Sequence, residues 1–377
     1  MLKIWRNRTL RGTLIQGLVL LGTVALFASF VLTARENLVS QGIATGFGFL
    51  ERSTGWPINF SLIEVSDRSP YSRMLLAGFL NTIYVGLLGL AAATLTGLVV
   101  GMMRISSNLV LNILGTIFVE TFRNVPLILQ VIFWYALLTH LPPPRGAIDL
   151  AGVGFLSNRG LMLPAPALSA MDLAILALGL LGVLFSARRM GGTRSGLTWV
   201  LGLGALAALF TVLLLTGRAP DMPLVSIPEL RGLRFVGGLT VKPEFAALLI
   251  AIMMFGGAYV AEIVRGGFLS VDRGRLEAAK ALGLSSWQIM RFVHIPLAIR
   301  AMLPALTNQY IWLMKATTLG VAIGYPDYFM VVSTSINQSG QTIELLLLLM
   351  GGFLAINYVI GGIMNTINAR LAIKGRS

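Results

Sequence analysis

Long apolar runs separated by short polar stretches organise this chain. A bilayer-crossing helix needs about 20 mainly apolar residues. By that measure the pattern predicts eight spans, at 13–34, 74–103, 109–139, 170–187, 197–217, 245–265, 301–325 and 342–367. The chain then divides into an anchor helix and loop (1–73), the first part of a helical core (74–140), an insert (141–244) and the second part of the core (245–370). The first span follows Lys3, Arg6, Arg8 and Arg11. Its apolar stretch exceeds the 7–15 residues of a cleavable signal, so a retained anchor is expected.

The connections differ in character. Residues 35–72 are long and mixed in charge, with room for a short interfacial helix. Residues 141–169 carry Pro142, Pro143, Pro144, Pro164 and Pro166, which predicts irregular backbone. The spans at 170–217 are rich in Leu, Ala and Gly, as a lipid-facing hairpin would be. Gly256, Gly257 and Ala258, like Gly351, Gly352, Gly361 and Gly362, permit close helix approach, within the chain or across a dimer seam.

Composition supports an all-α polytopic membrane protein. Hydrophobic residues make up 56% of the chain, charged residues 12%, and mean hydropathy is +0.81, whereas soluble domains carry about a quarter charged residues. The net charge of +14 is not a nucleic-acid signature, because apolar runs split the basic residues into short clusters. With the N-terminus placed in the cytoplasm, cytoplasmic segments hold 17 Lys/Arg against two acidic residues, Asp272 and Glu277; outer segments hold 10 against 11. That is a positive-inside bias, and it puts both termini and residues 272–296 in the cytoplasm.

Catalytic chemistry finds no support. None of the five lysines follows a glycine, so a phosphate-cradling G-x-x-x-x-G-K-[ST] loop is absent. Two histidines (His140, His294) and no cysteine are too few ligands for a usual metal site. No G-x-S-x-G elbow occurs. No metal and no cofactor is expected on this chain.

Polar punctuation is concentrated at 277–296, EAAKALGLSSWQIMRFVHIP. Leu276 to Gly283 reads as a short helix whose Ala278, Ala279 and Ala281 leave a bare face, with Gly283 as its left-handed stop. Ser285 and Gln288 have capping-box spacing, and Leu284 with Ile289 fits a hydrophobic staple. Pro296 ends or kinks the second helix. This helix–Gly–helix knuckle is either a docking element or a solvated loop in which Glu277 pairs with Arg273 or Lys280.

Some charges fall inside spans, where a charge costs about 2.5–3.5 kcal/mol on insertion scales. Glu120 and Arg123 share a helix face with Asn124. Pro126, one turn on, leaves the Phe122 carbonyl without its helical donor. Lys315 lies mid-span beside Thr317 and Thr318. Each set either lines a polar path or pairs internally to fix packing; Glu262 and Arg265, near the cytoplasmic surface, are read as a structural pair.

The stretch from Glu277-Ala278-Ala279 through Gly283 to Ile295-Pro296 resembles the coupling loop of bacterial ABC importer permeases. Glu262-Ile-Val-Arg265-Gly-Gly and Phe118-Val-Glu120-Thr-Phe-Arg123-Asn124-Val-Pro126-Leu-Ile-Leu-Gln130 resemble the polar amino acid branch of that family. The likeness covers about 75–140 and 245–370. With its N-terminal span and insert, the chain is similar to the longer permease of general L-amino acid or glutamate/glutamine/aspartate/asparagine uptake systems. The resemblance implies a type I importer core of five helices, joined here by an N-terminal helix and an inserted hairpin. It implies a multi-pass subunit of the bacterial inner membrane that carries polar L-amino acids. Its partners would be a second, homologous permease (a heterodimer), a periplasmic amino acid-binding protein and two ABC ATPase subunits, which hold the ATP and Mg. Glu277, Ala278, Ala279, Gly283, Ser285 and Pro296 would then couple ATPase closure to the spans. Glu120, Arg123, Asn124, Lys315, Thr317 and Thr318 are candidates for a path lined by both signs of charge, suited to a zwitterion. The alternative is an ion-coupled secondary amino acid transporter working without an ATPase.

Overall fold

The computed structural model describes residues 8–40, 46–166, 168, scattered positions between 172 and 186, 193–216, 224–232 and 234–371. Its long helices are α1 (Arg8–Ser40), α2 (Tyr71–Ile105), α3 (Leu109–Asn124), α4 (Leu127–Thr139), α5 (Thr193–Thr216) and α6 (Pro243–Leu269). Then follow α7 (Arg273–Ala281), α8 (Ser286–Ile289), α9 (Ile295–Ala316), α10 (Tyr328–Ser339) and α11 (Thr342–Leu371). Among the described residues, six helices are long and apolar enough to cross a membrane, or seven if α3 and α4 count as one span. The predicted span at 170–187 lies mostly outside the described residues.

The expected single span at 109–139 is two helices meeting at 101°. Pro126 cannot donate to the Phe122 carbonyl, and the buried Gln130 side chain replaces it. Its Nε2 donates to Phe122 O and Val125 O, both at 2.9 Å. The chain turns where backbone donors run out, and one amide stabilises the corner.

Helix α2 packs along α6, and small residues set the distance. An ideal Cβ at Gly89 would lie 2.7 Å from Ile252, one at Gly97 2.4 Å from Val260 and one at Gly101 2.7 Å from Val264. Ala93 lies between them, against Gly256. On α6, Gly256 and Gly257 make the close approach that their size predicts, to Leu313 and Thr96. In α11 only Gly352 does so, against the Tyr328 ring; Gly351, Gly361 and Gly362 face open space. Helices α4 and α9 complete the main core around Leu248, Ile252, Leu313 and Tyr325.

The insert corrects one expectation: residues 141–166, expected to be irregular, contain short paired strands within an otherwise mostly helical chain. Strands β1 (Ile148–Leu150), β2 (Gly154–Ser157) and β3 (Gly160–Leu163) pair antiparallel. After the short pairing of β4 (Ala165–Pro166) with β5 (Val225–Ser226), β6 (Glu229–Arg231) pairs with β7 (Arg234–Val236). Strand β8 (Leu239–Val241) then joins β3, giving the order β1-β2-β3-β8. Strands of two to four residues are too short for a period-two pattern to register; Pro142, Pro143, Pro144 and Pro164 lie outside the strands, and Pro166 sits in the two-residue β4. Residues 46–70 fold back on the core through a 3-10 turn at Phe47–Glu51, with Phe60 stacked on Phe245 at 6.0 Å.

Candidate functional site

The knuckle is built from local hydrogen bonds. Helix α7 begins three residues earlier than predicted, because Asp272 accepts from Gly274 N at 2.9 Å and caps it. Gly283 N–H donates to Lys280 O at 3.0 Å and Leu284 N–H to Ala279 O at 3.3 Å, with Gly283 at φ 79°. This is a Schellman stop, whose left-handed position favours glycine. Two residues on, Ser285 Oγ accepts from Gln288 N (3.4 Å), and Gln288 Oε1 accepts from Ser285 N (2.8 Å). The capping box closes as its spacing requires.

Pro296 does not end the second helix. Helix α8 continues through a π turn at Met290–His294 into α9, with Pro296 in the first turn of α9. A proline ring clashes with the carbonyl four residues back, and a wider π turn relieves that clash without breaking the rod. His294 fastens the junction: its Nε2 lies 3.1 Å from Phe268 O and its ring packs edge-on against Phe268.

Side-chain directions differ from a simple alanine face. Ala279 is buried against its own chain, whereas Glu277, Ala278, Ala281 and Gly283 are exposed. Glu277 has no ion pair with Arg273 or Lys280 among the described residues. The tip instead presents three large apolar groups: Leu282 is 82% exposed, Trp287 67% and Phe292 64%. Sequence reasoning passed over them; apolar residues in the most polar connection of a membrane chain were the available signal.

Three arginines converge on Glu262. Arg265 donates to its Oε1 at 2.6 Å, Arg104 donates to its Oε2, and Arg123 Nη1 lies 3.8 Å from Oε2. Arg123 also sits over the Tyr259 ring, 5.3 Å from its centroid. Glu120 does not pair with Arg123; it accepts from Asn124 Nδ2 at 3.3 Å. One carboxylate thus faces three guanidinium groups from α2, α3 and α6. Arg104 was not among the sequence candidates, since at the edge of a span it resembles an orientation signal. Lys315 is exposed near the end of α9 and has no ion pair among the described residues. Thr317 and Thr318 donate to Met314 O and Lys315 O, both at 2.8 Å, so their hydroxyls hold the 3-10 turn Thr317–Ile323.

A second buried polar group, absent from the sequence candidates, locks the connection after that turn. Asn81 Nδ2 donates to Phe60 O (3.0 Å) and Pro326 O (2.8 Å), and Tyr325 Oη donates to Asn81 O (3.1 Å). Thr82 Oγ1 accepts from Tyr328 N at 2.8 Å. Asp327 caps α10 by accepting from Met330 N at 2.8 Å. Burial pushes its carboxyl up to about 7, against the opposing pull of that backbone donor.

The geometry is that of a polytopic helical membrane bundle with a projecting, apolar-tipped connection. Residues 93–373 match the family described as binding-protein-dependent transport system inner membrane component, and the chain belongs to that family. It is 36% identical to the putative amino-acid ABC transporter permease protein YhdX of Escherichia coli K12, over 98% of this chain and 96% of that protein. It is 36% identical to the general L-amino acid transport system permease protein AapQ of Rhizobium johnstonii, over 90% and 87% of the two chains. The glutamate/glutamine/aspartate/asparagine transport system permease protein BztB of Rhodobacter capsulatus is 32% identical, over 97% and 95%. Among solved structures, an amino acid ABC transporter with histidines aligns with 80% of this chain and 95% of its own, at 19% identity and TM-score 0.48.

Proposed function

We propose that this chain is the transmembrane permease of an ATP-driven importer that moves polar L-amino acids across the bacterial inner membrane. The observation that carries the coupling role is the knuckle at 272–296: a doubly capped, stiff connection that exposes Leu282, Trp287 and Phe292 beside Glu277, which has no ion pair among the described residues. Apolar groups held outward on rigid backbone suit insertion into a partner's groove, and the partner we assign is an ABC ATPase subunit that binds the ATP and Mg. Continuity of α8 through the π turn into α9 gives that partner a lever into the bundle.

The complete assembly has two ATPase subunits, a second, homologous permease and a periplasmic amino acid-binding protein, with both termini of this chain in the cytoplasm. The loaded binding protein docks outside, ATP-driven closure draws the knuckles together, the cavity opens outward, and hydrolysis resets it. Selectivity rests mainly with the binding protein. Within the bundle, Glu120, Arg123, Asn124, Lys315, Thr317 and Thr318 form the candidate path, with Arg123 drawn to Glu262 and both threonine hydroxyls engaged by backbone carbonyls.

Affinity purification of the tagged chain in mild detergent, with an ATPase assay, tests the assignment. Recovery of a P-loop ATPase and a second permease, with turnover stimulated by one loaded binding protein, is expected. A lone chain that moves amino acids down an ion gradient in liposomes would overturn it in favour of a secondary transporter. Gly283→Val should uncouple hydrolysis from transport while leaving membrane insertion intact; normal uptake by that variant would refute the coupling role.

A further inference from the structure

A cavity of about 440 Å³ lies where the inserted sheet meets the ends of α4 and α6. It is at the opposite end of α6 from the knuckle, 27 residues or about 40 Å along the helix. Four separate stretches of chain contribute to it. The β2–β3 turn brings Asn158 and Arg159, β7 brings Arg234, and the start of α6 brings Lys242 and Glu244, with Tyr135 of α4 behind them. The turn is fixed in place, since Asn158 N–H donates to Pro142 O at 2.9 Å. Gly160, at φ 117°, lets it sit on the end of β8: a Cβ there would lie 2.2 Å from Val241 O. Phe155 stacks on Phe235 at 4.9 Å and holds β7 over β2.

The charges around this cavity do not balance one another. Arg159 and Arg234 have no ion-pair partner among the described residues, and the nearby Glu229 is engaged by Arg231 at 3.2 Å. Arg231 and Arg234 are direct cross-strand neighbours, an arrangement in which like charges repel. Lys242 is occupied, donating to Asn59 O. Among the lining residues, Glu244 Oε2 and Asn158 Oδ1 are buried acceptors with no hydrogen-bond donor among the described residues. Buried acceptors without donors are costly, and a donor-rich cation would satisfy both. The cavity therefore offers guanidinium groups without an anion and acceptors without a donor, in a volume typical of small-molecule sites.

We propose that this cavity binds a free α-amino acid, its carboxylate held by Arg159 and Arg234 and its ammonium by Glu244 and Asn158. It is a site distinct from the path through the bundle. The ligand class follows from the groups lining the cavity; placement on the outer face rests on the importer function proposed above. There the cavity would hold substrate beside the entrance to the bundle.

The test is calorimetric titration of the full chain in lipid nanodiscs, without binding protein or ATPase, using L-glutamine, acetate and methylammonium. L-Glutamine should bind at least tenfold more tightly than either single-charge fragment. Glu244→Gln should weaken L-glutamine at least tenfold and leave acetate unchanged, whereas Arg234→Gln, on an exposed strand that tolerates substitution, should weaken both. Acetate binding as tight as L-glutamine, no L-glutamine binding, or changes of twofold or less in both variants would overturn the proposal. Uptake by the assembled transporter is measured alongside. Normal uptake with a flat titration removes the cavity site alone; absent uptake with the expected titration removes the importer function and leaves the cavity site standing.

Discussion

Two connections in this molecule use the same local chemistry to opposite ends. At the knuckle, Gly283 closes a Schellman stop and Ser285 caps the next helix. Between α9 and α10, Gly324 (φ 76°) closes an equivalent stop, with Gly324 N–H donating to Val321 O and Tyr325 N–H to Gly320 O, and Asp327 caps the next helix. The knuckle displays Leu282, Trp287 and Phe292 to the surroundings. The second connection buries Tyr325, Asp327 and Tyr328 beneath Asn81 and Thr82 of α2. Turn chemistry decides that a helix stops and restarts; packing decides whether the joint becomes a contact surface or a keystone.

Protonation should separate the two joints most sharply. Asp327 titrates near 7 when folded and near 3.8 when unfolded. A raised folded pKa means stability that is complete below 3.8 and is lost as pH rises to about 7, here up to about 4 kcal/mol over that window. Asp327→Asn keeps a capping oxygen without the titration, so its thermal midpoint should gain on wild type between pH 4 and 7; parallel curves would refute the buried-carboxyl account. Asn81→Ala comes next, because it strips the donor from two carbonyls. A loss of about 2–3 kcal/mol in the chain's own stability is expected, measured by denaturation in detergent.

Trp287→Ala should do the reverse. Its side chain is exposed, so the isolated chain should change by less than about 0.5 kcal/mol, while ATPase capture weakens by about 2 kcal/mol, roughly 30-fold. Equal losses in the two assays would mean that Trp287 packs within the chain. Ser285→Ala, the smallest change, should cost about 1 kcal/mol through its cap. That loss should be visible as faster amide exchange confined to α8.

Legibility followed the range of the interactions. The apolar runs, the Gly283 stop, the Ser285–Gln288 box and the Phe122 carbonyl freed by Pro126 were all readable, since each depends on residues within a few positions. The Gln130 side chain that caps that carbonyl was not, because many rotamers compete until the 101° corner exists. The close-packing stripe on α2 (Gly89, Ala93, Gly97, Gly101) was present at a spacing of four but looked like ordinary apolar helix. Arg104 reaches Glu262 across 158 residues, and no local pattern marks such a pair. The short strands of the insert escaped because their pairing, not their composition, defines them.

By itself, then, the sequence determined a polytopic helical chain, the order of its spans and the backbone course of its knuckle, because hydropathy and capping act over one or two turns. Only the tertiary structure decided that Glu262 gathers three arginines, that Ala279 points inward while Trp287 points out, and that the insert folds over the ends of α4 and α6. Those outcomes depend on which distant surfaces meet, and close packing settles that for the whole chain at once.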